Sequence, residues 1–264
     1  MSANNGNYNI VIGADAGAGA TSTEKSVAIG RQAMGGGAAT GDNNVVLGYK
    51  AAYDTTSGYD NVAIGYQAGE NVTTANRNVY IGRDAGQAQV ASAEYSVMIG
   101  MEAGYDVSGQ RNTIVGGGAG GNAKVDTTES TYLGYNAGAN ASGATNTFVG
   151  ASAGVSSNTG TGLVAVGSNA LRTITGSYNT AIGWGAMADG AGSAASNIAV
   201  GYRAMQALTA GARNVAIGSY GLAAVSTHND NTTVGDEAGK QVNSNNNTIM
   251  GSRAGEKLDD TTRS

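Results

Sequence analysis

The 264-residue sequence has no cysteine and no proline, and it contains one histidine and one phenylalanine. Without cysteine the chain can form no disulfide and can carry out no thiol chemistry. Charged residues are 12% of the chain, about half the usual share of roughly 25%, and the net charge is -5. Lys and Arg form no cluster, so we expect no nucleic-acid partner. No apolar run reaches the about 18 residues that cross a bilayer, so we expect no membrane insertion.

Glycine is abundant instead, with 44 residues, and much of it recurs at a fixed interval. Such a content without a period would indicate a low-complexity segment, whereas a period indicates a repeat architecture. From Gly13 to Gly251 one glycine recurs in 14 steps, at a mean interval of about seventeen positions. The fifteen glycines are Gly13, Gly30, Gly48, Gly65, Gly82, Gly100, Gly116, Gly134, Gly150, Gly167, Gly183, Gly201, Gly218, Gly235 and Gly251.

Other positions repeat with this glycine, which we number as position 0 of each unit. Position -4 is Asn in eleven units, Ser in three and Leu163 in one. Position -1 is always aliphatic or Met, and position +3 is Ala in every unit except at Gly221. The chain is therefore predicted to repeat one short structural unit about fifteen times.

Each unit is predicted to be one coil of an all-β solenoid. A unit of this length is too short for a helical hairpin, and positions -3 to -1 are rich in Val, Ile and Thr, which favour strands. Asn and Gly bound this triplet, and both are turn residues. Glycine suits a positive φ or a close backbone approach, so we assign Gly65, Gly82, Gly183 and Gly218 to turns. Stacked coils would place Asn over Asn in a ladder of side-chain amides.

Both faces of the predicted strand are largely apolar. Because side chains alternate along a strand, positions -3 and -1 share one face and position -2 lies on the other. One face can fill the coil, and the other would remain bare unless partner chains cover it. The sequence leaves open which face is inside. We assign these outer-pair residues to core or trimer packing: Val62, Ile64, Val97, Ile99, Val215 and Ile217.

The repeated phrase resembles that of a known family. SVAIG at 26–30, NVAIG at 61–65 and 214–218, and NTAIG at 179–183 are similar to the head repeats of trimeric autotransporter adhesins, the YadA-like family. Similar repeats occur in bacteriophage fibre and tail-appendage proteins. The resemblance implies a left-handed parallel β-roll, a side-by-side homotrimer, and attachment to a cell-surface glycan or receptor from a virion surface or an extracellular surface.

The resemblance covers a predicted repeat domain at 7–256, with an N-terminal cap at 1–6 and a polar tail at 257–264. The unit is longer than the commonest family unit, which predicts longer outer loops. The sequence shows no signal peptide, no stalk heptads and no C-terminal barrel, and its first unit begins almost at Met1. We therefore expect a virion fibre, with other virion proteins as further partners. An autotransporter head and a filament-forming solenoid are the alternatives.

Aromatic residues at position +1 are the candidate binding residues. Tyr49 and Tyr66 lie in consecutive units, as do Trp184 and Tyr202. Coil stacking would place each pair about 5 Å apart, and such ladders suit sugar rings. The alternative is that these rings cap the coil edge or pack between chains.

No catalytic, cofactor or metal site is expected. Asp84 and Glu102 occupy position +2 of consecutive units and could resemble the carboxylate pair of a glycosidase, which would make the chain a polysaccharide depolymerase. Other units place Lys, Gln or Asn at this position, which indicates a solvated edge and a non-enzymatic protein. His228 is a lone histidine in a polar loop and makes a poor metal site.

Overall fold

The computed structural model describes residues 6–88, 93–121, 127–157, 159–190 and 192–256. Most of the predicted N-terminal cap and the whole predicted C-terminal tail lie outside the described residues. Contacts divide the chain into two compact units, Met1–Tyr132 and Leu133–Ser264. The single repeat domain at 7–256 stays a prediction, and both units are stacks of the same short coil.

Every coil contributes one strand of three residues, from position -3 to position -1. The strands are β1 (Ile10–Ile12), β2 (Val27–Ile29), β3 (Val45–Leu47), β4 (Val62–Ile64), β5 (Val79–Ile81), β6 (Val97–Ile99), β7 (Thr113–Val115), β8 (Thr131–Leu133), β9 (Thr147–Val149), β10 (Val164–Val166), β11 (Thr180–Ile182), β12 (Ile198–Val200), β13 (Val215–Ile217), β14 (Thr232–Val234) and β15 (Thr248–Met250).

Strands that follow each other in the chain are parallel neighbours in the sheet of each unit. In the first unit Ala63 of β4 pairs with Tyr80 of β5, and in the second unit Ala199 of β12 pairs with Ala216 of β13. The register advances by one full repeat, so equivalent positions stack on one another. The predicted all-β parallel solenoid, with one repeat unit in each coil, is confirmed.

The recurring glycine lets consecutive coils approach closely. Gly82 and Gly183 have φ values of 132° and 130°, and a Cβ on either would lie 2.5 Å from the next coil's glycine carbonyl oxygen. Gly65 and Gly218 have the same backbone conformation, with φ values of 139° and 140°. No residue with a Cβ fits there, so the four predicted turn glycines lie at the turns to which we assigned them.

Three further positions in each of the fifteen coils, -5, +2 and +4, adopt the left-handed conformation. In the coil of β4 they are Asp60, Gln67 and Gly69, with φ values of 57°, 52° and 59°. Left-handed backbone costs a non-glycine residue about 1–2 kcal/mol. The stacking of backbone hydrogen bonds holds these residues in place, as where Gln67 N donates to Tyr49 O at 2.9 Å.

Position -2 faces the inside of the coil, which answers the question that the sequence left open. Apart from Val11 in β1, every middle residue of the triplets is buried, including Tyr80, Met98, Phe148 and Ala199. The outer pair is half-exposed or exposed in every strand. The face formed by positions -3 and -1 is therefore the outer face of each unit.

In most coils a large side chain fills the inside from one of two positions, either -2 or +4. Where position -2 is large, position +4 is glycine: Tyr80 with Gly86, Met98 with Gly104, Phe148 with Gly154. Where position -2 is Ala, position +4 is mostly large: Ala28 with Met34, Ala165 with Leu171, Ala181 with Met187, Ala199 with Met205, Ala216 with Leu222. A Cβ at Gly154 would lie 2.5 Å from the Phe148 ring, so these two positions share one volume.

The predicted amide ladder at position -4 is confirmed in both units. The Asn61 Oδ1 accepts from the backbone N–H of Asn78 at 3.0 Å, and Asn61 Nδ2 donates to Ala75 O at 2.8 Å. The Asn214 Oδ1 likewise accepts from the N–H of Asn231 at 3.0 Å. Each buried amide thereby satisfies backbone groups of the adjoining coil, as buried polar groups require.

Exchanging the large residue between positions -2 and +4 should preserve the core. Phe148→Ala should destabilise the protein by about 3–5 kcal/mol because it leaves a cavity. Gly154→Leu should also destabilise it because the new side chain meets the Phe148 ring. The double variant reproduces Ala165 with Leu171, so urea unfolding should show that it is more stable than the sum of the two single changes predicts. Simple additivity would contradict the shared volume.

Replacing a ladder asparagine by alanine should lower the free energy of unfolding more than replacing it by serine. Asn214→Ala removes the acceptor of the Asn231 N–H and the donor to His228 O, and we expect a loss of about 2–4 kcal/mol by urea unfolding. Asn214→Ser is the matched control, since the Ser96 Oγ accepts from the Asn112 N–H at 3.2 Å in the same place. Equal losses for the two variants would show that the side-chain oxygen contributes nothing.

Candidate ligand-binding surface

The candidate aromatic residues stack between consecutive coils, as the sequence predicts. Tyr49 and Tyr66 in the first unit have ring centroids 5.3 Å apart and planes at 26°. Trp184 and Tyr202 in the second unit have centroids 5.3 Å apart and planes at 16°. Each ring follows the turn glycine directly, so the coil register brings the rings of a pair together. Tyr66, Trp184 and Tyr202 remain exposed to solvent.

The second aromatic pair is extended by a residue that sequence reasoning missed. Tyr220 meets Tyr202 edge-on, with centroids 5.3 Å apart and planes at 78°. A hydrogen bond with Tyr220 and partial burial raise the pKa of the Tyr202 hydroxyl. Tyr220 occupies position +2, so a search of position +1 alone could not find it. A search for aromatic residues at either position of consecutive coils would have done so.

Lys50, one of three cations next to the first aromatic pair, is neutralised by a carboxylate. Lys50 Nζ lies 6.0 Å from the centroid of Tyr49 and forms an ion pair with Glu70 at 3.3 Å. The hydrogen bond to Glu70 and the charge of that carboxylate raise the pKa of Lys50. The Glu70 carboxylate also accepts from Gln67 and Gln87. The polar side chains of this corner therefore satisfy one another.

The second aromatic pair borders a groove of about 240 Å³. Its lining comes from three consecutive coils of the second unit: Asn169, Arg172, Trp184, Gly185, Ala188, Asp189, Arg203 and Gln206. Trp184 is the one residue here that the sequence nominated. The others come from positions +2, +5 and +6, which vary from coil to coil and show no pattern along the chain.

The charges in this groove do not cancel. Arg172 Nη2 binds Asp189 Oδ1 at 3.0 Å, and Gln206 donates to Asp189 Oδ2. Arg203 forms no ion pair with any described residue, and its Nε is buried without a hydrogen-bond partner. The Arg203 guanidinium lies 5.0 Å from the centroid of Trp184 and 5.4 Å from that of Tyr202. The groove is therefore locally positive in a chain of net charge -5.

Asp84 and Glu102 line a second, shallower groove of about 500 Å³ in the first unit, together with Gln67, Arg83, Gln87, Tyr105 and Gly121. The solvated edge expected at position +2 is wrong for Asp84, which is buried and whose Oδ2 accepts from Arg83 Nε at 3.0 Å. Its Oδ1 has no described partner. The predicted absence of catalysis at these two residues stays a prediction.

The six residues assigned to core or trimer packing all lie on the outer face. Val62, Ile64, Val97, Ile99 and Val215 are half-exposed and Ile217 is exposed. They form no part of the coil interior, so core packing within one coil does not explain them. In the second unit an ion pair at position -5, Arg213 with Asp230 at 2.6 Å, lies next to this face.

Among the described residues, no group of three or more His, Asp or Glu side chains could hold a metal ion. Within those same residues no helix is long and apolar enough to span a membrane. His228 is half-buried, and its carbonyl oxygen accepts from Asn214 Nδ2 at 2.8 Å.

Comparisons with protein-family models, with curated proteins and with solved structures found no significant match to this chain.

Proposed function

We propose that this chain is a non-enzymatic structural protein, a homotrimeric fibre or adhesin head that attaches to a cell-surface glycan. In this proposal each chain is a left-handed β-roll, and three chains lie side by side with their outer faces together. The observation that carries the proposal is the apolar outer face. Ile182, Ile198 and Ile217 keep 40%, 43% and 44% of their surface exposed in the second unit.

A face of this kind is suited to a second copy of the same chain. Positions -3 and -1 are apolar in most coils and repeat at the strand spacing of about 4.8 Å. A copy in the same orientation presents the same rows at the same spacing, so the two faces match along their length. Monomeric proteins rarely expose apolar patches beyond a few hundred Å². Closed cyclic symmetry covers such faces without leaving one open.

Three features of this proposal come from the resemblance to YadA-like and phage-fibre repeats. They are the assembly of three chains, the left-handed β-roll and the location on a virion surface. The partners in this proposal are two further copies, a surface glycan and other fibre proteins. An adhesin head on a bacterial surface would use the same assembly. Tyr49, Tyr66, Trp184 and Tyr202 are the proposed glycan contacts because their rings stack in flat ladders and stay accessible in each chain.

Light scattering of the purified protein should give a native mass three times the chain mass of 26.0 kDa. The variant Ile182→Lys with Ile217→Lys should reduce that mass because the added ammonium groups would have to be buried between apolar faces. Each chain should keep its fold, since both positions are already exposed.

Thr227→Lys is the control for this experiment. It adds a positive charge at an exposed loop position of the same unit, so the assembly should keep its full mass. A wild-type monomer, or an assembly that tolerates both lysines on the outer face, would contradict the proposed function.

A further inference from the structure

The groove beside Trp184 exists because one coil has two small residues where its neighbours have polar side chains. Gly185 and Ala188 stand where the coils before and after carry polar side chains: Asn169 and Arg172 on one side, Arg203 and Gln206 on the other. A Cβ at Gly185 would meet only Arg203 Cγ at 3.5 Å and Ala188 Cβ at 4.0 Å. The groove is therefore a gap one coil wide between two polar walls.

The width of this gap suits a single ring. The walls belong to coils two steps apart, which places their backbones about 9.6 Å from each other. A ring between two walls needs about 3.5–4.0 Å of contact distance on either side. The volume of about 240 Å³ is smaller than the roughly 300–1,000 Å³ of drug-sized pockets. One cyclic unit fits the gap, with the rest of a chain outside it.

The aromatic side of the gap is open on one face. Tyr202, in the following coil, stacks on Trp184, but the preceding coil has Ser168 at the equivalent position. No ring covers the indole from that side. An exposed indole offers apolar contact to the C–H face of a sugar, and the amides of Asn169 and Gln206 in the walls can bond its hydroxyls.

The charge of the gap selects the kind of sugar. Asp189 is occupied on both oxygens, by Arg172 and by Gln206. This leaves Arg203 as an uncompensated cation whose Nε is buried without a partner. A guanidinium in this state favours a carboxylate, which it can bind with two parallel hydrogen bonds. A neutral sugar would leave the charge of the guanidinium uncompensated.

We propose that the Trp184 groove binds a saccharide unit that carries a carboxylate, with the ring against Trp184 and the carboxylate on Arg203. This inference rests on the proposed function, since it names the class of glycan to which the attachment protein binds. The first aromatic pair differs, because Lys50 is paired with Glu70, Arg83 is paired with Asp84, and Arg31 is exposed to solvent. The acidic unit could belong to a uronate polysaccharide or to a sialylated glycan, and both present the same carboxylate to Arg203.

The test uses the fluorescence of Trp184, the chain's single tryptophan, in the full-length wild-type protein. The probes are trigalacturonic acid, its neutral counterpart galactotriose, 3′-sialyllactose and lactose. We expect a saturable change with at least one acidic probe, about tenfold or more tighter than with its neutral counterpart. Binding should weaken as salt is added, because an ion pair is screened. Whichever acidic probe binds identifies the source of the carboxylate.

Three variants locate the binding. Arg203→Gln should weaken the acidic probe about 10- to 100-fold. Gly185→Gln should abolish binding by filling the gap. It should fold, since Gln67 occupies the same position with a φ of 52°. Arg213→Gln removes a positive charge from the position -5 corner of the same unit and should leave binding unchanged.

Several outcomes would overturn the inference: no saturable response to either acidic probe, equal affinity for acidic and neutral probes, or full binding by Gly185→Gln. Light scattering of each protein separates this failure from failure of the proposed function. A trimer that binds neither acidic probe would refute the proposed saccharide site and leave the proposed assembly unaffected. A monomer that binds one of them would refute the proposed assembly and leave the proposed saccharide site unaffected.

Discussion

Consecutive coils meet where one turn glycine lies against the carbonyl of the next, and the rest of the molecule depends on this contact. A Cβ at Gly82 or Gly183 would lie 2.5 Å from that carbonyl oxygen, so a side chain there would force the coils apart. The close approach fixes the backbone stacking of every other position. The amide ladder, the left-handed turns and the stacked rings follow from the same register.

The register also divides each coil into an inside and an outside with different chemistry. Inside, positions -2 and +4 share one volume, so a large residue at one requires a small residue at the other, as Phe148 and Gly154 do. Outside, nothing in the coil constrains positions -3 and -1 to be apolar. Position -1 is nevertheless apolar in every coil and position -3 is Val, Ile or Thr, which a partner surface would explain. At the corners the side chains vary, and small residues such as Gly185 leave a gap, which we propose as a ligand site.

The features that recur in every coil could be predicted from the sequence, and the features particular to a few coils could not. The strand, the turn glycine and the amide ladder recur in register, so one coil describes them, and the same register predicts which aromatic residues stack. The inward face could not be chosen because Ala63 and its neighbours Val62 and Ile64 are all apolar. The pairing of Phe148 with Gly154 needs the knowledge that these positions face each other across the coil. The groove at Trp184 arises from absent side chains and from residues of three coils, which leave no motif.

Removal of one coil tests the register most directly. Deletion of 198–214 in the second unit removes one full repeat and joins Asn197 to Val215, which restores a complete unit. Far-UV circular dichroism with heating should show a folded protein with a cooperative transition near that of the wild type. Deletion of 198–206 removes about half a coil and should abolish or strongly lower that transition. Equal behaviour of the two deletions would contradict an account in which glycine-to-carbonyl stacking sets the fold.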